Sequence, residues 1–227
     1  MSDSMDNDKR IAAEEAVKFV KNGMTVGLGS GSTVNLMLKK LSERVKEGLH
    51  IKGIPSSKKT ERLAKELGIP LTDFSTTTHI DLAIDGADEI DKELNLIKGG
   101  GGSLVREKIV DACADELIII ADSTKLVPKL GAFSLPVEVI PFGFEVTVKS
   151  IEKIGGIPSL RMKENQVFIS DNRNYILDCD FGLIDDAIQL HERLIKLVGV
   201  VDTGLFGEMA DKVIVARNGN IEIHTRN

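Results

Sequence analysis

The segment Asp85–Lys108, DGADEIDKELNLIKGGGGSLVREK, is chemically the densest part of this chain. Five carboxylates precede Lys98, four consecutive glycines follow it, and Ser103 and Glu107 come next. Carboxylates can take and return protons, a lysine can stabilise developing negative charge, and glycine amides lie open to an anion. Such a set can hold a phosphorylated polyol and move its protons. Carboxylates crowded as in Asp85-Gly86-Ala87-Asp88-Glu89 repel one another and need partners, and Lys98 is a natural one. Two other readings stay open: a capped, solvated acidic loop, or a divalent-metal site. No histidine or further ligand set supports the metal.

The run Gly99, Gly100, Gly101, Gly102 is hard to explain as a simple connection. Each glycine costs roughly 0.5–1 kcal/mol relative to alanine in a regular element. Close approach of backbone to a phosphate or oxyanion accounts for the excess. A helix starting near Ser103 aims its amides at the same place. Glu107, one turn in, reads by position as a first-turn glutamate or half of a capping box with Ser103.

A second candidate is Gly29-Ser30-Gly31-Ser32-Thr33, between a strand and a helix. Free amides and small hydroxyl side chains make an anion seat there. The alternative is a tight turn in which Ser32 or Thr33 caps the helix. The pattern lacks the last glycine of a dinucleotide fingerprint and the Gly-Lys-Ser/Thr of a phosphate loop. Lys9 and Lys125, judged by position alone, are ordinary surface lysines.

The elements that must carry these residues follow from periodicity. Residues 8–22 have helical spacing, closed by Asn22-Gly23. Strands are expected at Met24–Leu28, Ile51–Ile54, Asp81–Ile84 and Glu116–Ala121, with a brief one at Leu94–Ile97. Helices are expected at Thr33–Glu47, Lys58–Leu67 and Ser103–Ala114. Alternating strands and helices predict an α/β fold, a Rossmann-like, mostly parallel sheet with helices on both faces. Ligands then bind beyond the carboxyl ends of the strands. The Gly29–Thr33 loop, the Asp85 motif and Asp122-Ser123-Thr124-Lys125 all follow strands and should share one edge.

The texture changes near Gly131. Strand Pro136–Ile140, helix Glu145–Ile154, short strands at Ser159–Met162, Val167–Ser170 and Tyr175–Asp178, helix Asp185–Leu197 and strand Val198–Asp202 resemble a split βαβ, ferredoxin-like α+β domain. The expected division is an α/β catalytic domain over 1–130 and 205–227, with the smaller domain over 131–204. Lys212–Ala216 and Ile221–His224 predict a hairpin returning to the first sheet.

Composition narrows the class. The chain has 227 residues, 42% hydrophobic and 28% charged, with formal net charge −6. That suits a soluble globular protein and disfavours general attraction to nucleic acid or an anionic membrane. The two cysteines, Cys113 and Cys179, are isolated and read as buried, inert thiols. The four histidines have no metal-ligand spacing. The polar N-terminal MSDSMDNDKR does not read as a signal peptide, and no run reaches transmembrane length, so a cytoplasmic location is expected.

Together, SGST at 30–33, DGADEID at 85–91, KGGGGSLVREK at 98–108, ADSTK at 121–125 and PVEVIPF at 136–142 resemble ribose-5-phosphate isomerase of the A type. The resemblance covers nearly the whole chain in order and spacing. Ser30 stands where a threonine is common, which keeps a hydroxyl. The resemblance implies interconversion of D-ribose 5-phosphate and D-ribulose 5-phosphate in the pentose phosphate pathway, with no metal and no cofactor. It implies Glu107 as the proton-transferring base, with Asp85, Asp88 and Lys98 as active-site polar groups. It implies substrate contacts from Ser30, Gly31, Ser32, Thr33, Gly86, Ala87, Gly99, Gly100, Gly101 and Lys125, and a phosphate-contacting lysine at Lys9. It also implies a homodimer or homotetramer that binds a small sugar phosphate, not nucleic acid or membrane. Two rivals remain at this level: an amino-sugar phosphate deaminase on a similar sheet, and a non-enzymatic sugar-phosphate sensor.

Overall fold

Val26 and Leu28 point into one apolar core while Gly27, between them, faces Val110 on the other side of the same strand. That alternation is the period-2 rule of a strand covered on both faces. The computed structural model describes residues 2–226. The first half of the chain runs α1 (Ser2–Val17), β1 (Thr25–Leu28), α2 (Ser32–Lys46), β2 (Lys52–Pro55), α3 (Lys58–Glu66), β3 (Leu82–Asp85), β4 (Glu89–Ile90), β5 (Leu96–Ile97), α4 (Leu104–Ala112) and β6 (Leu117–Asp122). The second half runs β7 (Leu135–Val139), α5 (Phe144–Glu152), β8 (Ile157–Leu160), β9 (Met162–Lys163), β10 (Gln166–Val167), β11 (Tyr175–Asp180), α6 (Ala187–Ile195), β12 (Val200–Thr203), β13 (Leu205–Phe206), β14 (Lys212–Arg217) and β15 (Asn220–Thr225). These form two compact units: residues 1–87, 106–125 and 209–227, and residues 88–105 and 126–208.

The first unit is a six-stranded sheet in the order β15-β14-β6-β3-β1-β2. Strands β2, β1, β3, β6 and β14 are parallel, and β15 closes the edge antiparallel to β14. The expected C-terminal hairpin does return to this sheet. The central strands β3 and β6 are buried at every residue, as a strand covered on both faces must be. One core holds Ala12, Ala16, Met37, Leu38 and Leu41 from α1 and α2 against Val26, Leu28, Ile84, Ile118 and Ile120. On the opposite side Val110 of α4 packs with Ile54 and Ile80. A Cβ on Gly27 would lie 2.7 Å from the Val110 side chain.

Helix α1 differs from the expected 8–22. It begins six residues earlier and stops at Val17, after which Lys18, Phe19 and Val20 each bond three residues back at 3.1 Å. The tightening into 3₁₀-type turns ends the regular helix. Asp8 is tied to the hairpin turn, accepting from the amides of Asn218 at 3.1 Å and Gly219 at 2.9 Å.

The second unit carries a four-stranded antiparallel sheet in the order β12-β7-β11-β8. With α5 after β7 and α6 after β11, this is the ferredoxin-like split βαβ arrangement. Leu135, Val137, Val139, Leu177 and Cys179 of the sheet bury against Ile151 of α5 and Leu190 and Leu194 of α6. The three short strands β13-β5-β4 form a separate small sheet in this unit. Both β4 and β13 are two-residue strands that carry no readable period. Cys179 is fully buried, whereas Cys113 is only half-buried, against the expectation that both thiols are buried.

Candidate active site

In the first unit, β1, β2, β3 and β6 are parallel neighbours, so the residues after their carboxyl ends line one edge of the sheet. These are Gly29–Thr33 after β1, Ser56-Ser57 after β2, Asp85–Ala87 at the end of β3, and the 3₁₀ turn Ser123–Lys125 after β6. The shared edge expected for three of these loops is present. The fourth, Pro55-Ser56-Ser57, qualifies by the same rule.

Asp85 is fully buried, and its Oδ1 accepts from the amides of Ser30 at 2.9 Å and Gly86 at 2.6 Å. A Cβ on Gly29 would lie 2.1 Å from that same oxygen, so only glycine lets the β1 loop approach this carboxylate. The hydroxyl of Ser30 lies 2.9 Å from those of Ser56 and Ser57 and 3.2 Å from that of Thr60. Thr60 in turn donates to the Gly29 carbonyl at 2.8 Å, and Ser57 caps α3 by accepting from the Thr60 amide at 3.0 Å. Reading along the chain missed this hydroxyl cluster, although its position after β2 was signal enough.

Helix α2 has Gly31 at its N-cap, with φ 116°, and no side-chain cap bond. Ser32 is already the first helical residue, so neither it nor Thr33 occupies the cap position. The first amides of a 15-residue helix are therefore not claimed by a side-chain cap, which leaves the anion-seat reading the stronger one. Lys125 ends the turn after β6 and is half-buried. Asp122 shapes that turn by accepting from the Thr124 amide at 2.9 Å. Lys9 sits on α1, its side chain 18% exposed and 3.9 Å from Asp6. Glu107 lies in the first turn of α4 and is 4% exposed.

In the second unit, Asp88 accepts from the Gly100 amide through Oδ2 at 2.8 Å. The glycine run closes as a turn, with the Gly102 amide donating to the Gly99 carbonyl at 2.9 Å. Lys98 is 1% exposed, its amide bonds the Gly204 carbonyl at 2.8 Å, and its Nζ lies 5.2 Å from the centroid of the Phe206 ring. Burial of so long a cation is rare outside functional or paired settings. The Glu89 carboxylate accepts from the amides of Gly131 and Phe133, both at 2.7 Å. Asp91 accepts from the amides of Glu93 and Asn95 and shapes the β4–β5 turn. Asp85, Asp88, Glu89 and Asp91 are thus each bonded to backbone amides, whereas Glu93 is exposed beside Lys92. Among the described residues, no group of three or more His, Cys, Asp or Glu side chains is arranged to hold a metal ion, and no helix is long and apolar enough to cross a membrane.

Comparison with known proteins agrees with this architecture. Residues 52–220 match the family model for ribose 5-phosphate isomerase A (phosphoriboisomerase A). A "Ribose-5-phosphate isomerase A 2" from Oceanobacillus iheyensis is 56% identical over 218 residues, covering 96% of this chain and 97% of the relative. A solved D-ribose-5-phosphate isomerase in complex with phospho-erythronic acid superposes with TM-score 0.95 at 38% identity, covering 98% of this chain and 99% of that one. The ribose 5-phosphate isomerase of Plasmodium falciparum superposes with TM-score 0.94 at 40% identity, covering 97% and 99% of the two chains. This chain belongs to the ribose 5-phosphate isomerase A family.

Proposed function

We infer that this chain interconverts D-ribose 5-phosphate and D-ribulose 5-phosphate through an enediolate. The observation that carries the reading is family membership along nearly the full chain. The burial of Glu107, Asp85 and Lys98, at 4%, 0% and 1% exposure, supports the assignment of chemistry to those side chains.

The reaction removes the proton beside the carbonyl and returns it to the neighbouring carbon. One carboxylate performs both transfers when the two carbons present the same face. We assign this to Glu107. Lys98 and the amides of Gly99, Gly100 and Gly101 stabilise the oxyanion that develops. Asp85 and Asp88 assist ring opening and hydroxyl proton transfer. Gly31, Ser32 and Thr33 at the start of α2, with Lys125 and Lys9, hold the phosphate, and binding there positions the reacting carbons. Gly86 and Ala87 complete the substrate-lining backbone. The Ser30 side chain acts by holding its loop, through its bonds to Ser56 and Ser57.

The chemistry assigned to these residues needs no metal and no cofactor. We place the enzyme in the cytoplasm as a homodimer or homotetramer, with no nucleic-acid or membrane partner. The net charge of −6 supports the last point.

The test is ribulose 5-phosphate formation from ribose 5-phosphate in excess EDTA, followed in D2O for exchange at C2. Product with solvent exchange is expected. Ammonia release from glucosamine 6-phosphate, or ribose 5-phosphate binding without exchange, would replace this reading with the deaminase or the sensor.

A further inference from the structure

We propose that Arg161 is a positioning residue that sets the orientation of the Gly99–Gly102 backbone. Its Nη1 donates to the Gly99 carbonyl at 2.9 Å and to the Gly100 carbonyl at 3.2 Å. The rest of the guanidinium is committed to Asp178: Nε donates to Oδ2 at 2.9 Å and Nη2 to Oδ1. A planar fork held at two points cannot rotate without losing both carboxylate bonds. The Arg161 backbone is pinned as well. Its amide donates to the Ile176 carbonyl at 2.9 Å, and its own carbonyl accepts from the Phe168 amide at 2.9 Å. The guanidinium carbon lies 5.8 Å from the Phe168 ring centroid. That ring also abuts Gly102, where an added Cβ would meet it at 2.3 Å.

The consequence follows from peptide planarity. In a trans peptide the C=O and the next N–H point in opposite directions. Holding the Gly99 carbonyl directs the Gly100 amide away from Arg161, where it meets Asp88 at 2.8 Å. Holding the Gly100 carbonyl directs the Gly101 amide away in the same manner. Gly101 is exposed, and nothing lies within 4 Å of where its Cβ would be. Asp88 and Arg161 therefore grip the loop through opposite groups of the Gly99–Gly100 peptide, leaving the next amide aimed outward. Glycine backbone would otherwise sample many orientations, and an oxyanion donor is useful only when aimed in advance.

This inference rests on the isomerase reading, in which the Gly99–Gly101 amides contact the substrate. Three full-chain variants test it: Arg161→Gln, Arg161→Lys and the milder Asp178→Asn. In Arg161→Gln we expect kcat to fall about 10–100-fold, somewhat less than outright loss of an oxyanion donor costs. KM for ribose 5-phosphate should change by less than about threefold, because the phosphate anchor is elsewhere. Affinity for phospho-erythronic acid should fall in step with kcat. Arg161→Lys should not restore activity, since an ammonium cannot reproduce the fork. Arg161 lines a cavity of about 490 Å³ with Gly100, Ala132, Phe133, Ser134 and Asp178. Millimolar methylguanidinium should therefore partly rescue Arg161→Gln. Amide hydrogen exchange at Gly100 and Gly101 should accelerate in both Arg161 variants and in Asp178→Asn, whatever their activity. Unchanged exchange there, or near-normal kcat in a folded Arg161→Gln, overturns the inference while leaving the isomerase reading intact. An inactive wild-type protein overturns that reading instead, and the exchange measurement still decides the role of Arg161.

Discussion

The amide of Ser30 donates to Oδ1 of Asp85 at 2.9 Å, joining residues 55 apart in the chain. One fully buried carboxylate thereby fixes the loop after β1 from the end of β3. Asp85 shapes the loop as well as being a candidate for proton chemistry, and the two roles separate by mutation. Asp85→Ala leaves the amides of Ser30 and Gly86 without this acceptor. It should lower unfolding free energy by about 1–3 kcal/mol, read by urea denaturation. Asp85→Asn keeps an oxygen acceptor for both amides, removes the charge and turns the second carboxylate oxygen into an NH2 donor. It should stay within about 1 kcal/mol of wild type while losing most turnover. Equal stability losses in both variants would remove the loop-bracing role.

Gly29→Ala forces a Cβ to 2.1 Å from Asp85 Oδ1 and 2.6 Å from its Cα. The second atom is backbone, so a rotamer change cannot relieve the clash. Overpacking of this kind costs about 1–3 kcal/mol. Thermal unfolding should register that loss, and activity should fall with it because the loop and the carboxylate must separate.

Glu107→Gln removes the proposed base without changing side-chain size. Turnover should drop by at least about 100-fold, the lower end for general acid–base catalysis. KM should hold, and exchange of the substrate C2 proton into D2O should cease. Near-normal exchange would falsify the assignment of Glu107.

Ser57→Ala deletes the cap of α3, where the hydroxyl accepts from the Thr60 amide at 3.0 Å. It also removes one of the hydroxyls holding Ser30. Stability should fall by about 0.5–2 kcal/mol, as for other lost caps. KM should rise with it, whereas Ser30→Ala should raise KM with a smaller stability loss. Identical KM in all three proteins would show that the hydroxyl cluster has no hold on the loop.

Burial, with a smaller contribution from Asp178, pushes the Cys179 thiol from its usual 9.0 up to about 12. The unfolded chain therefore loses this proton at lower pH than the folded one. The stabilising contribution is complete below about 9 and declines as pH rises toward about 12. Cys179→Ala should weaken the alkaline fall in stability over that window. In the native protein near pH 8, alkylation should reach the half-buried Cys113 first, with Cys179 reacting only on unfolding.

Much of this molecule is legible along the chain. Period and punctuation place the strands and helices of the parallel sheet within a few residues, because a strand buried on both faces needs a continuous apolar run such as Leu117–Ala121. The rule that ligands sit beyond parallel strand ends brings Gly29–Thr33, Asp85 and Lys125 to one edge from the order of the elements alone. The two-residue strands β4 and β13 escaped, since two residues carry no period, and α1 extends through a polar stretch whose anchor, the Asn218-Gly219 turn, lies at the far end of the chain.

In the acidic motif itself, the residue types and their spacing set what chemistry is available: carboxylates, Lys98 and open glycine amides within a short span. Which carboxylate does what was decided only by tertiary structure. In sequence, Asp85, Asp88, Glu89 and Asp91 are near-equivalent. In the fold, Asp85 takes Ser30, Asp88 takes Gly100, Glu89 takes Gly131 and Phe133, and Asp91 takes Asn95. The grip of Arg161 on Gly99 and Gly100 spans 62 and 61 residues and leaves no local trace. Composition and period act through local backbone preference and burial. A hydrogen bond requires a donor and an acceptor within about 3 Å and aligned, and for groups so far apart along the chain only the folded backbone supplies that geometry.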